Sequence, residues 1–537
     1  DFEGWCWPGT SVYPDFTHPE MRRLWARSFS FEEYRGTTPD VFTWNDMNEP
    51  SVFNGPEVTC PRDAIHPFGG VEHRDVHNLY GLYVQRASFE GHLLRAPDVR
   101  PFVLSRSFFA GSHRWGAVWT GDNRASWEHL AISVPMLLAL ALGGHSFAGA
   151  DVGGFFGHPS AELLVRWYQF GALAYPFFRQ HAHEHSPRRE PWLWDGETLR
   201  RVRRAVRLRY RLLPYLYATF AAYHGEGLPV VRPLWWQFLD DPEAARDRVA
   251  SEESLMLGEA LLVRSVHRPL SEQPVASVYL PSGRFSGWFS LHGGGFFPPG
   301  SHRVALDMEG LPAFWRAGSI VPTKRAARPS SKWMASDPFT LSIFIDAATE
   351  TASGVVYIDD YSSHGYTDDD FLRTTLDYRD GVLRQAESQG TLRANVSTLV
   401  ERIKIYGLIS APSSVILQTA GEAVYLDHVS RSVEGAEASA PPSPLYMTEV
   451  VTLNLDLNSR MAWSVRLRYG NERGHEARAS GPHVGRRCFG ARVEVQPQLI
   501  AGMHRPSRWR PAPSRGLVVT LLAGAWRRLA RPSAATR

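Results

Sequence analysis

Trp44-Asn45-Asp46-Met47-Asn48-Glu49-Pro50 follows directly on the apolar run Val41-Phe42-Thr43. A strand-like run that ends in a carboxylate and stops at a proline is how a (β/α) barrel presents a catalytic group, on loops at the carboxyl ends of its strands. A second isolated acid has a similar setting. In Ala117-Val118-Trp119-Thr120-Gly121-Asp122-Asn123 an apolar, aromatic run again leads to an aspartate. Two carboxylates, each at the end of a strand-like segment and each beside a tryptophan, point to glycosidic-bond chemistry.

Outward from these segments, the chain up to about residue 225 alternates short apolar runs with amphipathic stretches. The strands expected are Val41–Trp44, Pro101–Leu104, Gly116–Trp119, His145–Ala148 and Ala174–Phe178, with helices over Val76–Leu94, Trp127–Leu142 and Ala161–Phe170. Alternation of this kind predicts a parallel sheet. Leu130 to Ala150 is the longest uncharged run, and Pro135, Gly143-Gly144 and His145 interrupt it. It reads as an interior helix feeding a buried strand, with no membrane span. After the arginine-rich helix Leu199–His224 the texture changes to short strands separated by Gly and Pro, including Val230–Trp236, Ala260–Val266, Ser277–Leu280 and Ser319–Pro322. These read as a β-sandwich. A second β-rich block runs from about Phe339 to Arg468. The domain expectation is therefore 1–225 barrel, 226–330 proximal sandwich, 331–470 distal sandwich, and 471–537 an Arg/Pro-rich tail too poor in apolar periodicity to order itself.

At 537 residues the chain exceeds a single core. A hydrophobic share of 43% fits a globular protein, and 18 tryptophans suit a sugar binder, whose indole faces stack on pyranose rings. A formal net charge of +3 gives no reason to expect nucleic acid as a partner. Cys6, Cys60 and Cys488 allow at most one disulfide and have no metal or redox spacing. Asn395-Val396-Ser397 is an N-glycosylation sequon, meaningful in a secretory compartment. The basic run from Arg200 to Arg209 reads as a solvated outer helix face pairing with nearby acids.

For hydrolysis by two carboxylates, Asp46 would attack the anomeric carbon and Asp122 would protonate the departing oxygen, then deprotonate water. Holding Asp122 protonated near neutrality needs a pKa raised by about two to three units, roughly 3–4 kcal/mol. Burial beside Trp119 and like charge from Asp46 are the expected sources. On an extended strand His181, His183 and His185 would share a face, but no companion ligand motif accompanies them and no metal site is expected.

Trp44 to Phe53 resembles the nucleophile signature of glycoside hydrolase family 31, the retaining α-glucosidases. The likeness extends through Trp5-Cys6-Trp7-Pro8-Gly9, Tyr13-Pro14-Asp15-Phe16, Val103-Leu104-Ser105-Arg106, Trp119 to Asn123, Gly149 to Phe155 and Phe178-Arg179-Gln180-His181. Asn54 to Thr59, Glu72 to Asn78, Leu164 to Gln169 and Arg188-Arg189-Glu190-Pro191-Trp192 place it nearest the branch that trims α-1,3-linked glucose from N-glycans in the endoplasmic-reticulum lumen. That resemblance implies the C-terminal part of a (β/α)8 TIM barrel followed by two β-sandwich domains, a multidomain α/β plus β chain. It implies a covalent glycosyl-enzyme intermediate, a glucosylated N-glycan or α-glucoside substrate, no cofactor, and a non-catalytic lectin-like β subunit as partner. Arg106, Asp151 and His181 would bind glucose hydroxyls, and Trp44, Met47, Trp119 and Phe155 would line the pocket. For Arg106 a structural ion pair with Asp151 or Asp122 is the alternative. The rivals for function are an α-1,4-glucosidase of the same family and a catalytically silent glycan-binding fragment. Set beside the family pattern, the chain reads as partial. The first three barrel strands, an upstream domain and an early sugar-binding acid are expected to be missing, leaving a polypeptide that folds poorly alone and is inactive.

Overall fold

The computed structural model describes residues 2–419, 422–433, 445–458 and 463–469. The expected disordered tail, the Ala/Ser/Pro-rich loop at 435–444 and Cys488 lie outside the described residues.

Three short strands, Thr43–Asn45, Val103–Ser105 and Ala117–Trp119, pair in parallel in chain order, and Ala148–Gly149 joins as the fourth. One residue further on, Asp151–Val152 pairs in parallel with Arg179–Gln180. The main helices are α1 (Pro19–Arg27), α2 (His73–Arg95), α3 (Trp127–Leu142), α4 (Ala161–Ala174) and α5 (Gly196–Glu226). From Thr43 onward strands and helices alternate, which makes these elements part of a TIM barrel. Thr43–Asn45 has the Val103 strand as its one neighbour among the described residues.

The local signals act as elementary chemistry dictates. Ser126 caps α3 by accepting from the His129 N–H at 3.3 Å, and the helix stops at Gly143. Ala148–Gly149 then passes so close to the next segment that a Cβ on Gly149 would meet the Phe177 carbonyl at 1.8 Å. The expected strand Ala174–Phe178 does not form. Helix α4 runs through Ala174, and Tyr175, which precedes Pro176, leaves it with φ −92° and ψ 111°. A residue before proline is pushed out of the helical region, so the strand starts only at Arg179. Val230–Trp236 is likewise split, into Val231–Arg232 and one helical turn at Leu234–Gln237.

Six antiparallel strands follow, in the order Val231–Arg232, Ser254–Leu257, Leu261–Arg264, Ala313–Arg316, Trp288–Ser290 and Phe296–Phe297. Both faces of this sheet are buried, and the side-chain alternation of a strand divides them. Met256, Leu262, Phe314 and Trp288 point to a core shared with Val278 and Leu280 of the two-stranded sheet Val275–Leu280/Gly300–Ala305. Their neighbours Leu255, Leu257, Leu261, Val263, Trp315 and Phe289 point the other way, into one core with α4 and α5. Each such side chain contributes roughly 1.5–3 kcal/mol on burial, so barrel and proximal sheet are held by a common interior. Arg166 and Gln169 of α4 reach across it to the carbonyls of Gly310 and Met308, at 3.0 and 2.9 Å.

The distal part is an 11-stranded sheet with its own core of Leu341, Ile343, Val356, Leu376, Ile403 and Val465 among others. Ser319–Lys324, read from the sequence as a strand of the proximal block, belongs to this sheet and pairs with Phe339–Phe344. No described helix is long and apolar enough to cross a membrane. The basic face of α5 is paired as expected, with Arg200 and Arg204 both meeting Glu309.

Three histidines form a hydrogen-bonded chain that ends on Asp15. Asp15 Oδ1 lies 2.8 Å from His66 Nδ1, His66 Nε2 lies 3.0 Å from His73 Nδ1, and His73 Nε2 lies 2.8 Å from His77 Nδ1. Burial alone would raise Asp15, but hydrogen bonds from His66 and Thr17 hold it down at about 2. An ionised Asp15 requires His66 to donate from Nδ1. Burial pushes His73 down to about 4, with His77 and His66 adding to the effect. A histidine depressed in the folded state stabilises the fold above its ordinary pKa near 6.5, and that contribution is lost as pH falls toward 4. At about 1.4 kcal/mol per pKa unit it amounts to on the order of 3–4 kcal/mol. The denaturation midpoint is expected to fall steeply between pH ~6.5 and ~4, and in a His73→Gln variant the fall is shallower. An equal slope in both proteins would refute this assignment.

Candidate active site

Every candidate side chain sits at or just beyond the carboxyl end of a parallel strand. Asp46 follows Thr43–Asn45, Arg106 follows Val103–Ser105, Asp122 lies three residues past Ala117–Trp119, Asp151 opens Asp151–Val152, and His181 follows Arg179–Gln180. The barrel brings together all nine residues expected from the sequence.

Two buried asparagines set the loops. The Asn48 Oδ1 accepts from the Ser107 N–H at 2.9 Å and its Nδ2 donates to Ser105 Oγ at 2.8 Å, tying the Asp46 loop to the Arg106 loop. Asn123 does the same for the next pair: its Oδ1 accepts from the Phe155 N–H at 2.8 Å and its Nδ2 donates to the Asp151 carbonyl at 3.1 Å. Gly154, at φ +83°, packs so tightly on this loop that a Cβ would meet the Ala125 nitrogen at 2.2 Å. Met47 holds φ +62°, a left-handed conformation uncommon for a residue with a side chain.

The aromatic lining is continuous. Trp44 meets Trp119 edge-on at 5.7 Å and His181 at 5.1 Å, and Phe155 stacks on His181 at 5.1 Å. Arg179 lies over both tryptophans at 4.8 Å and donates from Nε to Asp151 Oδ1 at 2.8 Å. Arg106 forms an ion pair with Asp46 at 3.1 Å and a two-point contact with Glu49 at 2.8 and 2.9 Å. It pairs with neither Asp151 nor Asp122, the partners named in the sequence-based alternative, because Glu49 on the adjacent strand's loop is within reach and takes the fork.

Burial raises the pKa of Asp46, and the charges of Asp122 and Glu49 add to it against the pull of Arg106. Asp151 is fully buried and is pushed up to about 6 by burial, with Arg179 opposing. His181 is driven down to about 4, by burial first and then by Arg179 and Arg189, so it is neutral at pH 7. Asp122 is exposed, while Trp119 behind it is buried. The burial expected for Asp122 from the sequence is thus not supplied by these residues.

Three functional groups escaped the sequence reading. Arg179 is the first, and strand alternation could have found it, because residues 179 and 181 share a face. Glu49 is the second. The third is Arg189, whose buried guanidinium donates only to carbonyls: Gly153 at 3.0 Å, His181 at 2.7 Å, and Gly154. It thereby clamps the loops that carry Asp151, Phe155 and His181. His183 and His185 turn away from His181 and make ring contacts, with His183 edge-on to Phe155. Among the described residues no group of three or more His, Cys, Asp or Glu could hold a metal ion.

Asp151 Oδ2, Arg179 Nη2 and Trp119 Nε1 are buried with no hydrogen-bond partner among the described residues, and Asp46 Oδ1 has only its ion pair with Arg106. Unpaired buried polar atoms are costly unless a ligand satisfies them. Both acceptors and donors are present, on a wall of aromatic rings. That combination fits a ring bearing many hydroxyls.

Comparison with known proteins identifies the relatives of this chain. The profile of the glycosyl hydrolases family 31 TIM-barrel domain matches residues 1–219, and that of the glycosyl hydrolase family 31 C-terminal domain matches residues 227–321. A probable glucan 1,3-alpha-glucosidase of Oryza sativa subsp. japonica is 45% identical over 449 residues, covering 82% of this chain and 48% of the relative. The crystal structure of the glucosidase II alpha subunit with alpha3-Glc2 bound superposes with a TM-score of 0.79 at 33% identity, over 87% of this chain and 50% of that one. The catalytic subunit in a crystal structure of the ER glucosidase II heterodimeric complex, which also contains the binding domain of the regulatory subunit, has the same TM-score, identity and coverage (0.79, 33%, 87% and 50%). The chain spans about half the length of the relatives it matches. With its strand-end acids, its barrel and both family domains in register, the chain belongs to glycosyl hydrolase family 31.

Proposed function

We propose that the whole protein containing this chain is a retaining α-glucosidase that removes terminal α-1,3-linked glucose from N-glycans in the endoplasmic-reticulum lumen. The observation that carries the reading is the group of unpaired buried polar atoms on Asp151, Arg179 and Trp119, beside Asp46 on the Trp44–Trp119 wall. Asp46 attacks the anomeric carbon as the glycosidic oxygen takes a proton from Asp122, and the bond to the leaving sugar breaks. A glucosyl ester on Asp46 results. Asp122, now a base, takes a proton from water, which attacks the same carbon and releases glucose with retained configuration. Asp151, Arg106 and neutral His181 read the hydroxyls, and a sugar lying over Asp122 supplies the desolvation that the protein leaves out. The likeness to a probable glucan 1,3-alpha-glucosidase and to the alpha3-Glc2-bound glucosidase II alpha subunit supports the linkage. The likeness to the catalytic subunit of a heterodimer supports a regulatory partner subunit.

A substrate panel tests the reading. The whole protein is expected to show kcat/KM about tenfold or more higher on an α-1,3-linked diglucoside than on maltose, because linkage is read through oriented hydroxyl contacts. A preference for maltose would favour an α-1,4-glucosidase. Binding of the glycan without turnover of either sugar would mark a silent binder.

A further inference from the structure

Glu49 takes no part in the two-carboxylate scheme, yet it makes the best-formed contact in the pocket. Its two oxygens meet Nε and Nη2 of Arg106 at 2.8 and 2.9 Å, the fork geometry that fixes a guanidinium in its plane. Only Nη1 of Arg106 is left for Asp46, at 3.1 Å. The same Nη2 also touches Met47 Sδ at 2.8 Å, so the loop residues Asp46, Met47 and Glu49 enclose one guanidinium. The charged groups facing Asp46 are Arg106 from the next strand's loop, Asp122 from the strand after that, and Glu49 on its own loop. Arg106 is in turn faced by Asp46, Glu49 and Asp122.

This arrangement bears on the covalent step. When Asp46 bonds to the anomeric carbon and the leaving oxygen departs with the proton of Asp122, the Asp46 carboxylate becomes a neutral ester. An arginine paired with Asp46 alone would then face the pocket without a counterion, and before the step it would hold the nucleophile's lone pairs in a tight ion pair. Glu49 removes both difficulties. We propose that Glu49 is the positioning residue of this site: it fixes Arg106 in plane, limits its hold on Asp46 to one nitrogen, and remains as its counterion throughout the life of the glucosyl ester. The proposal rests on the reading of Asp46 as nucleophile.

The test uses the whole protein with an aryl α-glucoside, read as the rate of aryl release and the pH profile of kcat/KM, together with labelling by a cyclitol epoxide. Glu49→Gln removes a negative charge near Asp46 and leaves Arg106 to pair with it fully. Formation of the ester is then expected to slow by about 10²-fold, the scale of a misplaced catalytic geometry, and the acid limb of kcat/KM moves to lower pH. Glu49→Asp keeps the charge but draws the carboxylate back by one methylene, out of two-point reach of Arg106. Its acid limb stays at the wild-type pH while kcat/KM falls about tenfold. An unmoved acid limb in folded Glu49→Gln, or wild-type kcat/KM in Glu49→Asp, overturns the role of Glu49. These outcomes are distinct from failure of the function itself, which shows as wild-type protein whose Asp46 takes no label.

Discussion

Replacing Asp46 by Ala in the whole protein is expected to lower α-glucosidase turnover by on the order of 10⁵-fold, the scale set by loss of a nucleophile, with little change in thermal stability. The structure gives both halves of that expectation. The Asp46 side chain has one ionic partner, Arg106, and that arginine keeps its two-point contact with Glu49 when Asp46 is gone. No buried charge is stranded, so the fold does not suffer. The chemistry does suffer, because no other carboxylate among the described residues sits on the same loop facing Asp122 without already being committed to an arginine. Azide added to the Asp46→Ala variant should attack the face that Asp46 has vacated and give the β-glucosyl azide, the inverted product. An α-configured azide, or undiminished hydrolysis, would show that Asp46 is not the nucleophile.

The second large effect is on stability and lies far from the pocket. Asp359, at 1% exposure, accepts from Arg100 Nη2 at 3.1 Å and from the Tyr361 N–H at 2.7 Å, and the Tyr217 hydroxyl lies 2.7 Å from its Oδ1. Arg100 also donates to the Tyr217 oxygen at 2.8 Å, and its N–H donates to the Ser362 carbonyl at 2.8 Å. One buried carboxylate thus joins three elements: the segment entering the Val103–Ser105 strand, helix α5 and the distal sheet. Removing one partner of a buried pair strands the other, at a cost of about 3–5 kcal/mol. Asp359→Ala should therefore lower the first denaturation transition by that amount, and Asp359→Asn, which can still accept from Tyr217 and Tyr361, by less. An Asp359→Ala protein as stable as the wild type would show that the clasp is ornamental.

Much of the site was legible because its signals are local. Asp46 and Asp122 end apolar runs, α3 begins at a serine cap and ends at a glycine pair, and both signals lie within a few residues of what they specify. What escaped depends on groups distant in sequence. Arg106 was expected to meet Asp151 or Asp122, but the short reach from strand end to neighbouring loop delivers it to Glu49. The apolar run at Ala174–Phe178 satisfies a strand pattern, yet packing of α4 between two sheets extends the helix until Pro176 stops it. Ser319–Lys324 carries no mark of which sheet it joins, since its partners Phe339–Phe344 are a full connection away. The exposure of Asp122 is not legible in its segment, which ends in an apolar run and a turn glycine at φ +80° just as a buried acid's could. In the chain Asp15, His66, His73 and His77 the last link has the i,i+4 spacing of α2, but the 51 positions between Asp15 and His66 carry no such signal.

The bond between Asp46 and the sugar is the event on which retention of configuration depends. The most direct measurement is to trap the whole protein with a glucose-configured cyclitol epoxide, digest it and map the modified peptide by mass spectrometry. The predicted result is a single ester on Asp46, within Trp44-Asn45-Asp46-Met47-Asn48-Glu49-Pro50, that is blocked by excess substrate. A label on Asp122, Asp151 or any other residue, with Asp46 unmodified in an enzyme that turns over, would contradict it.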